Sequence, residues 1–215
     1  MNYVALYRAY RPVDFEDMSG QEVIVQTIQN AVKNNKIGHA YVFSGPRGTG
    51  KTSLAKIFAK AINCENPING NPCQKCDACL HALDSDIIEI DGASNNGVDE
   101  IRDLRDKVKY LPNVGKYKVY IIDEVHMLTT GAFNALLKTL EEPPTHFVFI
   151  WATTDIHKSP ATILSRCQRF DFKNIEIKHI VDRLNYIIEK ESIVIEDEAV
   201  SLIAKNAKGG LRDAL

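Results

Sequence analysis

Apolar positions fall into short dense runs separated by longer stretches in which they recur every three or four residues. Lys118-Val119-Tyr120-Ile121-Ile122-Asp123-Glu124 is close to continuously β-branched, and His146 to Thr154 is similar. Such runs suit strands buried on both faces of a parallel sheet. Tyr41-Val42-Phe43-Ser44, Asp86 to Asp91 and Gln168 to Phe172 read as further short strands. Helical spacing predicts helices over Ser53 to Ile62, Val98 to Lys109 and Gly131 to Leu140, the last stopped by Glu141-Glu142-Pro143-Pro144. Another helix begins at Gly20-Gln21-Glu22, with Val23, Ile24, Ile28, Ala31 and Val32 on its apolar side. After a hinge near Lys173-Asn174 only helices follow, Glu176 to Glu191 and Glu196 to Lys208. The pattern predicts an α/β fold over residues 1–173, with helices on both faces of its sheet, and a small helical domain over 174–215. Gly209 to Leu215 look like a helix just begun, which predicts a fragment of a longer protein.

The chemistry concentrates at the ends of these strands. Gly45-Pro46-Arg47-Gly48-Thr49-Gly50-Lys51-Thr52 matches G-x-x-x-x-G-K-[ST] and sits between a strand and a helix. Glycines there let backbone N–H groups turn toward a polyphosphate at a helix N-terminus, where the helix dipole favours negative charge. Lys51 is expected to reach the β- and γ-phosphates and Thr52 to ligate Mg²⁺, with Ser53 next in the helix. The run ending in Asp123-Glu124 delivers two carboxylates to the C-terminal edge of a strand. Asp123 would hold Mg²⁺ and Glu124 would polarise the attacking water. Thr153 and Thr154 close the next buried strand, where a hydroxyl can sense the γ-phosphate or merely end the strand. Upstream, Tyr7 to Phe15 is aromatic and basic, and Pro12 pushes its predecessor out of the helical region, so this lead-in is expected to be extended. It can floor an adenine pocket or pack for stability alone.

A second constellation is Cys64, Cys73, Cys76 and Cys79, spaced C-x8-C-x2-C-x2-C. Four thiolates at short spacing suit a closed, structural Zn²⁺ site, with the turn-rich segment 65–72 wrapping the ion. Disulfides are the competing reading, disfavoured in a reducing compartment. Cys167 stands apart and reads as a small buried residue.

Composition narrows the setting. The chain has 215 residues, 45% hydrophobic, with 26 Lys and Arg against 28 Asp and Glu for a net charge of −2. No overall basic footprint announces nucleic acid, so any such contact is local. Neither a leader nor a run long enough to span a bilayer is visible, which points to the cytoplasm.

Together these features resemble the AAA+ superfamily and, within it, the tau/gamma ATPase family of the bacterial DNA polymerase III clamp loader. Beyond the phosphate loop and cysteines, the resemblance is carried by Tyr10-Arg11-Pro12 with Gly20-Gln21-Glu22, by Asp123 to Leu128, by Asn134 to Pro144, by Ser165-Arg166-Cys167 and by Gly210 to Ala214. It spans essentially the whole chain. It implies an AAA+ fold with a zinc-binding insertion at 64–79 and a truncated lid at 174–215. The implied activity is an ATPase motor that opens a sliding clamp and places it on primed DNA during replication. The family carries a polymerase name through its holoenzyme, although no residue here implies polymerase chemistry. Implied partners are other loader subunits of the delta and delta-prime types, the clamp, primer-template DNA bound without sequence preference, and the polymerase. By the same resemblance Thr154, in preference to Thr153, is a sensor, Arg212 a second sensor on the lid, and Arg166 an arginine finger acting in trans on a neighbour. Arg8, Tyr10, Arg11 and Pro12 are placed around adenine.

One departure is Asn95-Asn96-Gly97, where relatives can carry basic residues, so DNA contact there would need backbone amides. Lys138 remains either a phosphate contact or an exposed helix lysine. Two other classes stay open: a nucleotide-holding scaffold without turnover, which Lys51, Thr52 and Glu124 argue against, and an AAA+ helicase or remodelling ring, which the cysteines and Ser-Arg-Cys argue against.

Overall fold

A computed structural model describes residues 4–215, with the side chains of 82–84 left aside; the opening residues 1–3, read above for the lack of a leader, lie outside it. Helices α1 (Leu6–Ala9) and α2 (Glu22–Lys33) lead into β1 (Ala40–Ser44) and α3 (Lys51–Asn63). There follow α4 (Asp77–Ser85), β2 (Ile87–Asp91), α5 (Val98–Lys107), β3 (Lys118–Asp123), α6 (Thr130–Glu141), β4 (Phe147–Thr153), α7 (Ala161–Leu164) and β5 (Gln168–Asp171). Helices α8 (Ile177–Glu191), α9 (Asp197–Asn206) and α10 (Leu211–Ala214) close the chain.

The five strands form one parallel sheet in the order β2-β3-β4-β1-β5. Register follows from side-chain alternation. Tyr41, Phe43, Val119, Ile121, Val148 and Ile150 face α3 and join Leu54, Ile57 and Phe58 in one core. Their neighbours Val42, Tyr120, Ile122, Phe149 and Trp151 face the other way and pack on Ile101, Leu104, Phe133 and Leu136 of α5 and α6. Each fully buried large apolar side chain contributes about 1.5–3 kcal/mol, so burial on both faces fixes the register of β3 and β4. A separate cluster of Ile180, Leu184, Val200 and Ala204 joins α8 to α9.

The sheet brings the site together. Ser44 pairs with Thr153 and Ile122 with Trp151, so the ends of β1 and β3 flank the end of β4. Two strand spacings are about 9.6 Å, a gap the α3 N-terminus bridges. All three C-terminal ends open on one edge, where parallel α/β sheets bind ligands.

Two sequence expectations need correction, and one helix was not expected. The lead-in is not wholly extended: Pro12 constrains only Arg11, and a helical turn closes ahead of it, with Tyr10 N–H donating to Leu6 O at 2.9 Å. Val23 lies on the outer side of α2, 78% exposed, whereas Ile28 is buried. Helix α4 was unforeseen, because a short segment rich in metal-ligand residues carries little apolar periodicity.

Candidate active site

The phosphate loop leaves β1 and enters α3 through backbone that only glycine adopts without strain. Gly45 has φ 142° and Gly48 φ 77°; a Cβ at Gly45 would meet the Phe172 carbonyl, and one at Gly48 would lie 3.0 Å from Gly210 Cα. Inside this turn Lys51 is 6% exposed, and its Nζ donates to Gly45 O at 2.8 Å and Pro46 O at 2.7 Å. Burial pushes its ammonium below the ordinary lysine value, and the nearby charges of Glu124 and Asp123 offset part of that. A desolvated cation whose hydrogen bonds go to neutral carbonyls fits an incoming anion.

Across β4, Asp123 Oδ2 accepts from Thr52 Oγ1 at 2.8 Å, and Asp123 Oδ1 accepts from the Glu124 N–H at 2.9 Å. The hydroxyl and carboxylate form a hard-oxygen pair suited to Mg²⁺. Glu124 stands in left-handed backbone, φ 47°, and its Oε2 accepts from Thr154 Oγ1 at 2.9 Å and Thr154 N–H at 3.2 Å.

These groups line a cavity of about 540 Å³. It gathers Arg47 to Ser53, Asp123, Glu124, Thr154 and Arg212, together with Arg8, Tyr10, Arg11 and Pro12 from the N-terminal arm. Gly45 and Pro46 contribute through the carbonyls that hold Lys51. Thr153 is fully buried, its hydroxyl bonded to His126 and to the Asp155 N–H, so Thr154 is the threonine that faces the cavity. The C-terminal helices close over the loop: Leu211 N–H donates to Gly48 O at 3.0 Å, and the Arg212 guanidinium lies 5.0 Å from the Tyr7 ring centroid. Arg166 is not brought into this cavity. It sits after α7 and pairs with Glu141 of α6 at 2.7 Å.

Sequence reading missed Glu89, Met18 and Leu211, which also line the cavity. Glu89, ion-paired with Lys56, sits on β2, and only the strand order reveals which of its residues faces the nucleotide edge.

The four cysteines converge. Their sulfurs all lie within 4.8 Å of one another, with Cys73 to Cys79 and Cys64 to Cys76 each 3.9 Å apart. A tetrahedral Zn²⁺ with bonds of about 2.3 Å spaces its sulfurs by about 3.8 Å, so the residues fit that ion. Cys64 caps α3 and Cys79 lies on α4, while Gln74, φ 60°, turns the chain between Cys73 and Cys76. Burial raises the Cys64 and Cys79 thiols, and the Lys75 backbone N–H holds Cys73 down at about 6. The lobe is stitched to the arm, since Asn71 Oδ1 accepts from Phe15 N–H at 3.0 Å and Gln74 Nε2 donates to Val13 O at 2.7 Å.

The fold and the converging loop, acidic tip and helical cap define an AAA+ protein. The Thermotoga maritima RuvB Holliday junction branch migration motor superposes with a TM-score of 0.72 over 95% of this chain and 62% of that one, at 21% identity. A DNA polymerase III gamma subunit-related protein of the same organism superposes with a TM-score of 0.57 over 86% of this chain and 58% of that one, at 24% identity. Residues 20–176 match the family described as DNA polymerase III, delta subunit, and residues 179–215 the DNA polymerase III clamp loader subunit ATPase lid domain. DNA polymerase III subunit tau of Bacillus subtilis is 62% identical over 100% of this chain and 39% of that protein, and tau of Escherichia coli 49% identical over 100% and 34%. The chain therefore belongs to the tau/gamma family of DNA polymerase III clamp-loader subunits. It spans 39% and 34% of the length of those two relatives. Among the described residues no helix is long and apolar enough to cross a membrane.

Proposed function

We propose that this chain is the ATP-binding and hydrolysing part of a clamp-loader motor subunit, made of a nucleotide-binding module at 1–173 and a lid at 174–215. The observation that carries the reading is the buried Lys51 ammonium beside the Thr52–Asp123 hydrogen bond, all three residues lining one cavity. In this reading Lys51 and the amides of the glycine turn bind the β- and γ-phosphates. Thr52 and Asp123 hold Mg²⁺, which when bound neutralises charge developing on the transferred phosphoryl group. Glu124 orients and deprotonates the attacking water, and Thr154 contacts the γ-phosphate from the end of β4. Arg212 reaches the phosphates from the lid, and Arg8, Tyr10, Arg11 and Pro12 surround adenine. Arg166 completes the site of a neighbouring subunit, where its planar charge acts only when subunits are correctly seated. Cys64, Cys73, Cys76 and Cys79 hold a structural Zn²⁺.

On this reading the complete protein works in the cytoplasm with delta- and delta-prime-type subunits, the sliding clamp, primed DNA and the polymerase. The test is ATPase activity of the full-length protein reconstituted with partner subunits, clamp and primer-template DNA. Stimulation by DNA and clamp is expected; turnover indifferent to both refutes a loader motor, and absence of turnover with tight ATP binding makes the subunit a scaffold.

A further inference from the structure

His126 belongs to no part of the nucleotide machinery assigned so far, yet it touches it. The 3-10 turn Val125–Met127 swings the imidazole back under β4, where the side chain is 10% exposed. Its Nδ1 lies 2.9 Å from Thr153 Oγ1 and 3.3 Å from Glu124 Oε2. With its proton on Nδ1 the ring donates toward these oxygens, whereas an unprotonated Nδ1 accepts from the Thr153 hydroxyl, so holding Glu124 requires the Nδ1–H tautomer. Thr153 is itself fixed, since its hydroxyl accepts from the Asp155 N–H at 3.0 Å.

Glu124 Oε2 thus accepts from Thr154 Oγ1 and Thr154 N–H and has His126 Nδ1 3.3 Å away. Among the described residues none meets Oε1. One oxygen is anchored and the other is left to accept a proton. The anchoring also explains why a non-glycine residue holds φ 47° here, since strained backbone persists where the surroundings over-determine it.

We propose that His126 is a positioning residue for hydrolysis: by holding Glu124 Oε2 against the end of β4, it aims Oε1 at the attacking water. The proposal rests on the reading of Glu124 as the group that activates water. No bond to substrate is ascribed to His126; it acts only through Glu124.

The experiment uses the full-length protein assembled with its partner subunits, clamp and primed DNA, carrying His126→Leu or His126→Asn with and without Glu124→Gln. His126→Leu keeps the bulk and loses the donor; His126→Asn places an amide N–H near the Nδ1 position. His126→Leu is expected to lower kcat about ten- to a hundredfold, with KM and binding of a non-hydrolysable analogue changed less than about twofold. His126→Asn restores most of the rate, and in the Glu124→Gln background, under single-turnover conditions, His126→Leu causes no further loss. Unchanged kcat in His126→Leu, an equal further loss in the Glu124→Gln background, or lost analogue binding overturns the proposal. Wild-type turnover in Glu124→Gln would instead remove the underlying reading of Glu124. A second readout needs neither turnover nor the leucine variant. In nucleotide-free full-length protein with ¹⁵N-labelled histidine, His126 should show a protonated Nδ1, and a bare Nδ1 overturns the proposal.

Discussion

The Thr52 hydroxyl donates a 2.8 Å hydrogen bond to Asp123 Oδ2, tying the first turn of α3 to the tip of β3 across the intervening strand. Two residues 71 positions apart in sequence thereby share one point in space, beside the buried Lys51. Because Lys51 is the desolvated cation there, Lys51→Ala should weaken ATP binding by about 3 kcal/mol, over a hundredfold. Calorimetry with MgATP checks this, and retained micromolar affinity would remove the cradle.

Glu124 bonds to Thr154 rather than to Thr52 or Lys51. Glu124→Gln should therefore leave ATP affinity within about twofold while lowering kcat by about 10²–10⁴-fold, the range for loss of a general base. Filter binding and steady-state turnover of the assembled loader separate the two effects. A parallel fall in affinity would place Glu124 on the metal instead.

How much of this was legible follows from range along the chain. The phosphate loop could be read because its glycines and Lys51 act within eight consecutive positions. The β3 and β4 runs could be read because burial on both faces writes itself into continuous apolar sequence. What the sequence withheld depends on neighbours in the sheet. That Glu89 of β2 reaches the cavity follows from the order β2-β3-β4-β1-β5, and His126 meets Thr153 only because β3 lies beside β4. The turn at Leu6–Ala9 was missed because the proline rule was extended beyond the one residue it constrains. Arg166 was read through resemblance alone; nothing in its local sequence announces that Glu141 is its partner here.

The cysteine lobe touches the arm at Val13 and Phe15, just past Arg8 to Pro12 at the cavity. Reductively purified protein should carry one zinc per chain by elemental analysis. Chelation should remove about 3 kcal/mol of stability, seen as a fall in Tm of roughly 6–12 °C. ATP affinity should fall severalfold with it as the arm loosens. Metal-free protein with unchanged melting would dispose of the site.

Arg166 pairs with Glu141 at 2.7 Å, with side chains 34% and 51% exposed. An ion pair this accessible is worth about 0–1 kcal/mol, so it is no obstacle to an arginine leaving for a neighbour's phosphate. Arg166→Ala should leave ATP binding in its own subunit intact and lower hydrolysis at the adjoining site about 10³-fold. Mixed assemblies with one mutated subunit type check this; a defect confined to the mutated subunit's own binding counts against action in trans.

Asp86 is fully buried ahead of β2, and its carboxylate accepts the N–H groups of Asn113 and Val114 at 2.7 Å and Gly115 at 2.8 Å. Burial works to raise its pKa, but these three donors and the Lys118 charge outweigh it, and the carboxyl titrates below the ordinary aspartate value. The folded state therefore binds fewer protons than the unfolded one in acid. The contribution is complete above the unfolded pKa, about 3.9, and is lost as pH falls through the folded value. Asp86→Asn cannot satisfy all three donors and should cost about 2–4 kcal/mol at pH 7 by urea unfolding. The gap between wild type and variant should stay flat down to about pH 5 and narrow below about pH 4. A gap that widens on acidification would mean that the folded protein holds Asp86 protonated, and that the three amides do not govern its charge.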